Sequence, residues 1–142
     1  MHHDNSIRAV IAGWFDSLAK GDMTWRDRHV SRDSGLRIAG ADTDAWISGE
    51  PAYAFMRDVA EAVGGQVKID AGAIEAFSQG DIGWGMARPA IGPPDGRAVK
   101  LRWSAVFRRE DGVWRLVQLH VSLAVADAEA YGDSVTFPVT AA

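Results

Sequence analysis

The run Leu101–Leu123, LRWSAVFRREDGVWRLVQLHVSL, constrains this chain more than any other stretch. Two long segments rich in β-branched and aromatic residues flank Asp111-Gly112, and Asp-Gly between such runs is a strong hairpin signal. A two-residue turn pairs Glu110 with Val113, Arg108 with Arg115, Val106 with Val117, Ser104 with Leu119 and Arg102 with Val121. Cross-strand partners share a face. One face then carries Arg102, Ser104, Val106, Val117, Leu119 and Val121; the other carries Trp103, Ala105, Phe107, Leu116, Gln118 and His120. Both are too apolar for open water, so each must be covered.

Along the rest of the chain, Ile7, Val10, Ile11, Trp14, Phe15 and Leu18 form a helical stripe from Asp4 to Lys20, with Asp4 or Asn5 as cap and Gly21 as stop. A short helix is predicted from Thr24 to Val30. Extended pieces at Leu36–Ala39 and Ala45–Ile47 flank a turn, and Pro51 opens a third helix that Gly64-Gly65 ends. From Gln66 the period changes to that of strands: an extended run to Phe77, a turn at Gln79-Gly80-Asp81, Ile82 to Ala90, and a loop Gly92–Gly96 into the hairpin. Helices first and an antiparallel meander afterwards predict an α+β fold with the helices on one face of a curved sheet. The tail from Ala126 is weakly patterned; Val135–Val139 could add an edge strand, where Pro138 is tolerated.

With 142 residues the chain is expected to be one domain. A net charge of −4 argues against nucleic acid or an anionic membrane as partner. There is no cysteine, hence no disulfide or thiol chemistry, which fits a cytoplasmic location. No apolar run is long enough to span a membrane, and MHHDNS does not resemble a signal peptide. His2 and His3 read as a flexible terminus and His29 as exposed. No histidine spacing supports a metal site, and no phosphate loop or dinucleotide fingerprint calls for a cofactor.

The order of elements, together with Gly40-Ala41-Asp42-Thr43-Asp44-Ala45-Trp46-Ile47-Ser48-Gly49 and the block from Arg102 through Asp111-Gly112-Val113-Trp114 to His120-Val121-Ser122, resembles the SnoaL-like domains of the nuclear transport factor 2-like superfamily. The resemblance spans residues 1–125, leaving 126–142 as a C-terminal tail available as an edge strand or dimer contact. It departs at Ala45, where the resembling domains carry an acidic residue. What it implies is a cone-shaped curved antiparallel sheet with three N-terminal helices on its concave face. It also implies either of two functions. The leading one is binding of a small apolar or acidic molecule, with acid–base turnover of the isomerase, hydrolase or dehydratase kind open to it. The other is a non-catalytic homodimeric association module with a filled cavity. A fold alone does not choose between them.

If Ile91 lies opposite Arg97, then Trp84 and Met86 join Arg102 and Ser104 on the first face, and Trp14, Trp46 and Phe55 could close a pocket above them. Arg102 would anchor a carboxylate there unless Asp42, Asp44, Asp70 or Glu75 pairs with it. The second face, with Trp103, Phe107, Gln118 and His120, is then the expected surface of a two-fold homodimer. His120 reads as structural on that face; a bulge in the hairpin would exchange the faces of the last strand.

Overall fold

A computed structural model describes residues 1–139. The elements are β1 (His2–His3), α1 (Asn5–Lys20), α2 (Thr24–His29), β2 (Arg37–Ala39), β3 (Trp46–Ser48), α3 (Glu50–Val63), β4 (Lys68–Asp70), β5 (Ile74–Gln79), β6 (Ile82–Ala87), β7 (Ala90–Gly92), β8 (Val99–Glu110), β9 (Val113–Leu123) and α4 (Asp127–Tyr131). The strands run β1-β5-β6-β8-β9-β2-β3, with β7 also on β8 and β4 on β7. β2 lies parallel to β9 and every other pairing is antiparallel, so the curved sheet is mixed and does not close. α1 lies across β5 and β6, α2 against β9, and α3 against α1 and β3.

Local chemistry accounts for the helix ends. Asp4 caps α1 by accepting from the N–H groups of Ser6 and Ile7, and Gly21 ends it in the left-handed region at φ 73°. Pro51 sits in the first turn of α3, where its missing N–H costs nothing. The extended run after Gln66 breaks at Gly72 (φ 63°), which lets β4 leave for β7 while β5 pairs with β6. His2 and His3 are not a loose terminus. They pair with Ser78 and Phe77, and the His3 ring lies 4.7 Å from that of Phe77. The tail forms α4 and no strand at Val135–Val139, because the Phe137 N–H is taken locally by Asp127 Oδ2 at 2.8 Å and Pro138 has none. Residues 140–142 of that tail lie outside the described residues.

The hairpin turn has two residues, Asp111 (φ 52°) and Gly112 (φ 76°), as the tight turns of hairpins require. Glu110 pairs with Val113 and Arg108 with Arg115. A bulge then intervenes. Phe107 meets Leu116 but Val106 meets Gln118, so Val117 has no partner, and beyond it Ser104 lies opposite His120, Trp103 opposite Val121 and Arg102 opposite Ser122. Trp84 pairs with Val106 and Met86 with Ser104, two residues from the expected register, which leaves the faces of β6 unchanged.

The faces themselves are the reverse of the expected ones on β6 and β8. The helices cover Ala76, Ala87, Trp103, Ala105, Phe107, Leu116 and Leu119, while Trp84, Met86, Arg102, Ser104 and Val106 point away from them. The cause is α1. A Cβ on Gly83 would stand 2.1 Å from Ile7 Cδ1, and one on Gly85 2.2 Å from Ile11 Cδ1. The glycines make room for a helix seated directly on the sheet.

Candidate functional site

The space between helices and sheet holds aromatic rings. Trp14 and Trp25 lie with centroids 5.1 Å apart, and Phe15 meets Trp103 edge-on at 5.4 Å. Trp25 Nε1 donates to Val10 O at 2.7 Å and Trp114 Nε1 to Ser6 Oγ at 3.2 Å, so two of the indoles bury their rings without orphaning their donors. The buried polar side chains among the described residues are Ser17, which donates to Trp14 O, and Ser31, which donates to Glu110 Oε2. No carboxylate or imidazole is buried among them. His29, expected at the surface, is half-buried against Trp25 at the edge of this layer, with centroids 5.5 Å apart. Its Nδ1 lies 2.9 Å from Trp114 O; a carbonyl only accepts, so Nδ1 carries the proton. Burial holds that imidazole below the usual histidine range, with the Trp114 carbonyl opposing and Arg28 and Arg115 adding to the effect.

Open space lies on the outer face. Glu75, Met86, Ser104 and His120 follow one another across β5, β6, β8 and β9, with Arg102 and Ser122 paired beside them. With Asp70, Arg88 and Lys100 they line a solvent-open groove of about 1010 Å³. Among the described residues, Arg88, Lys100, Arg102, Asp70 and Glu75 form no ion pair. The carboxylates expected to neutralise Arg102 do not. A smaller hollow of about 240 Å³ between α2 and α3 behaves differently, for each of its arginines already meets a carboxylate: Arg26 with Asp27, Arg32 with Glu50, and Arg57 with Glu61.

Of the residues expected around one ligand, Arg102, Met86 and Ser104 come together in the groove. Trp84 lies one row nearer the turn, stacked with Phe77 at 6.2 Å. Trp14 is in the core, Phe55 is packed beside it, and Trp46 stands 85 % exposed on β3, the far edge strand. They do not form one pocket, because the helices lie on the other side of the sheet from Arg102. Gln118 and His120 do reach the outer face, whereas Trp103 and Phe107, 3 % and 0 % exposed, are covered within the chain and have no surface to offer a second copy. Arg88, Lys100 and Ser122 went unnoticed as groove residues. Their signal was present in the pairing of Ala90 with Lys100, which brings the cations on either side of the Gly92–Gly96 loop together.

A family model for the SnoaL-like domain matches residues 7–126. The chain belongs to the SnoaL-like domain family. No protein of curated function matches it in sequence. Solved structures similar to this SnoaL-like chain include a nuclear transport factor 2-like protein of unknown function from Pseudomonas putida KT2440, 18 % identical with a TM-score of 0.74, covering 96 % of this chain and 95 % of that one. A candidate dehydratase of the same superfamily from Streptomyces avermitilis is 15 % identical with a TM-score of 0.70, covering 84 % and 95 %. The association domain of CaMKII from C. elegans is 18 % identical with a TM-score of 0.66, covering 83 % and 93 %. At these identities the SnoaL-like chain shares a fold with them. No helix among its described residues is long and apolar enough to cross a membrane.

Proposed function

We propose that this SnoaL-like chain is a non-catalytic association module that pairs with a second copy through the outer face of its sheet. The observation that carries the reading is that no carboxylate or imidazole is buried between the helices and the sheet among the described residues. Acid–base turnover in this fold needs an ionisable group in a dry pocket beside its substrate. Here the helix–sheet layer holds rings, aliphatic side chains and two hydrogen-bonded serines, and its one unpartnered buried indole donor among the described residues, Trp103 Nε1, is not ionisable. The outer face supports the other half of the reading. Phe77, Trp84 and Val106 form an apolar row across three strands, with Ile82 and Met86 exposed on either side. A patch of that kind marks an interface. A two-fold pair uses the same patch on both copies. The association-domain relative favours this reading over the dehydratase relative, because pairing asks nothing of the interior.

Light scattering at micromolar concentration is expected to give about twice the 15.3 kDa chain mass. Trp84→Glu is expected to give the single-chain mass with the near-ultraviolet dichroism of a packed core retained. A single-chain mass for the unaltered protein ends the reading.

A further inference from the structure

β9 runs into a segment that the fold does not use. From Ala124 through Val139 no residue is buried, and the hydrogen bonds of α4 and its surroundings stay within the segment: Glu129 N–H to Ala126 O, Gly132 N–H to Ala128 O, and Phe137 N–H to Asp127 Oδ2. Its composition is one-sided. Asp127, Glu129 and Asp133 are its charged residues, with no Lys, Arg or His from 124 to 142. It is also apolar, since Val125, Tyr131, Val135, Phe137 and Val139 all stand exposed, and the rings of Tyr131 and Phe137 meet at 5.7 Å.

The groove complements it. Arg88, Lys100 and Arg102 lie along it without ion pairs among the described residues, Met86 offers an exposed apolar surface, and Ala124, where the tail departs, is part of its rim. Through Val139 its own tail does not fill it, being turned aside into α4 and held by Asp127 and Phe137.

We infer that the tail of a second copy lies in this groove, its carboxylates on Arg88, Lys100 and Arg102 and its aromatic pair against Met86. The inference rests on the two-copy reading above and adds a clasp to it. Opposite charges supply both attraction and register at such a contact. Asp70 and Glu75 also line the groove and confine the acidic segment to the side of β7 and β8.

The test uses a chain ending at Val125, which keeps every buried residue of the core, and a fluorescent peptide of residues 124–142. Anisotropy is expected to show the peptide binding the shortened chain, at least tenfold more weakly after Arg102→Glu, and more weakly as salt is raised. No binding, or equal binding to Arg102→Glu, overturns the inference. So does stabilisation of the shortened chain by citrate without peptide binding, which assigns the groove to a free organic acid. If the full chain is a dimer and the peptide does not bind, the clasp fails and the paired sheet stands. A full chain of single-chain mass overturns both.

Discussion

Phe107 and Val106 are neighbours in β8 and occupy different environments. Phe107 is fully buried under the helices, and Val106 sits half-buried on a face that nothing among the described residues covers. The same contrast holds along β6, where glycines and Ala87 face α1 while Trp84 and Met86 face outward. The larger side chains of β6 are therefore on the outside. What seats the helix is the absence of side chains on the inner face, and bulk outside marks a surface that needs another partner.

Four changes test that contrast, in decreasing order of effect. Inserting one alanine between Gln118 and Leu119 shifts the alternation beyond the bulge, turning His120 and Ser122 inward and Leu119 and Val121 outward. Buried polar groups without partners and lost apolar burial together cost more than about 4 kcal/mol, so cooperative urea unfolding is expected to disappear. A sharp transition near the original midpoint would mean that the register beyond the bulge does not set the faces. Phe107→Ala is next, with an expected loss of about 3–5 kcal/mol, whereas Val106→Ala should cost the isolated chain about 0.5 kcal/mol or less. Equal losses in urea titrations would erase the distinction between the faces. Gly85→Ala places a methyl against Ile11 and is expected to cost about 1–3 kcal/mol, read as a lowered melting temperature; partial recovery in Gly85→Ala with Ile11→Val would sharpen the assignment to that contact.

The last change concerns the tether of α1 to the inner face. Burial by itself pushes the Asp4 carboxyl up, but the hydroxyls of Ser6 and Ser78 and the N–H groups of Ile7 and Ser6 outweigh it and hold the pKa at about 2, below the 3.8 of a free side chain. A lowered native pKa means stability that is full above about pH 4 and is lost as pH falls through about 2. Asp4→Ala is expected to cost about 1 kcal/mol at neutral pH. Asp4→Asn should keep much of the cap and flatten the acid limb of a stability–pH curve; an unchanged limb would show that Asp4 does not control it.

Much of this fold was legible in the sequence because it is written in local signals. Asp4, Gly21 and Pro51 mark helix ends by what their side chains and backbones can do alone, and Asp111-Gly112 fixes its turn in the same way. The faces were not legible by the same means. Alternation in β8 says that Trp103 and Arg102 point opposite ways but not which way the helices lie, and Val117 hides the shift because valine fits either face. The deciding signal was Gly83 and Gly85, which read equally as room for Trp103 or room for α1; the second is correct. Part of the candidate site came through, since Arg102, Met86 and Ser104 share a face in either register, but its opposite wall did not. Asp70, Arg88 and Lys100 arrive from three separate strand ends, and their meeting depends on the β4–β7–β8 arm.

The close seat of α1 also fixes what this architecture can carry. Clearance between a helix and the sheet beneath it determines whether a guest layer fits between them, and in this chain two hydrogen atoms, in place of side chains at Gly83 and Gly85, bring the clearance to zero. Enlarging those two residues against an unchanged Ile7 and Ile11 would push the helix away from the sheet and open space between them. Room for a guest layer is thus set at two glycine positions, by bulk and not by polarity.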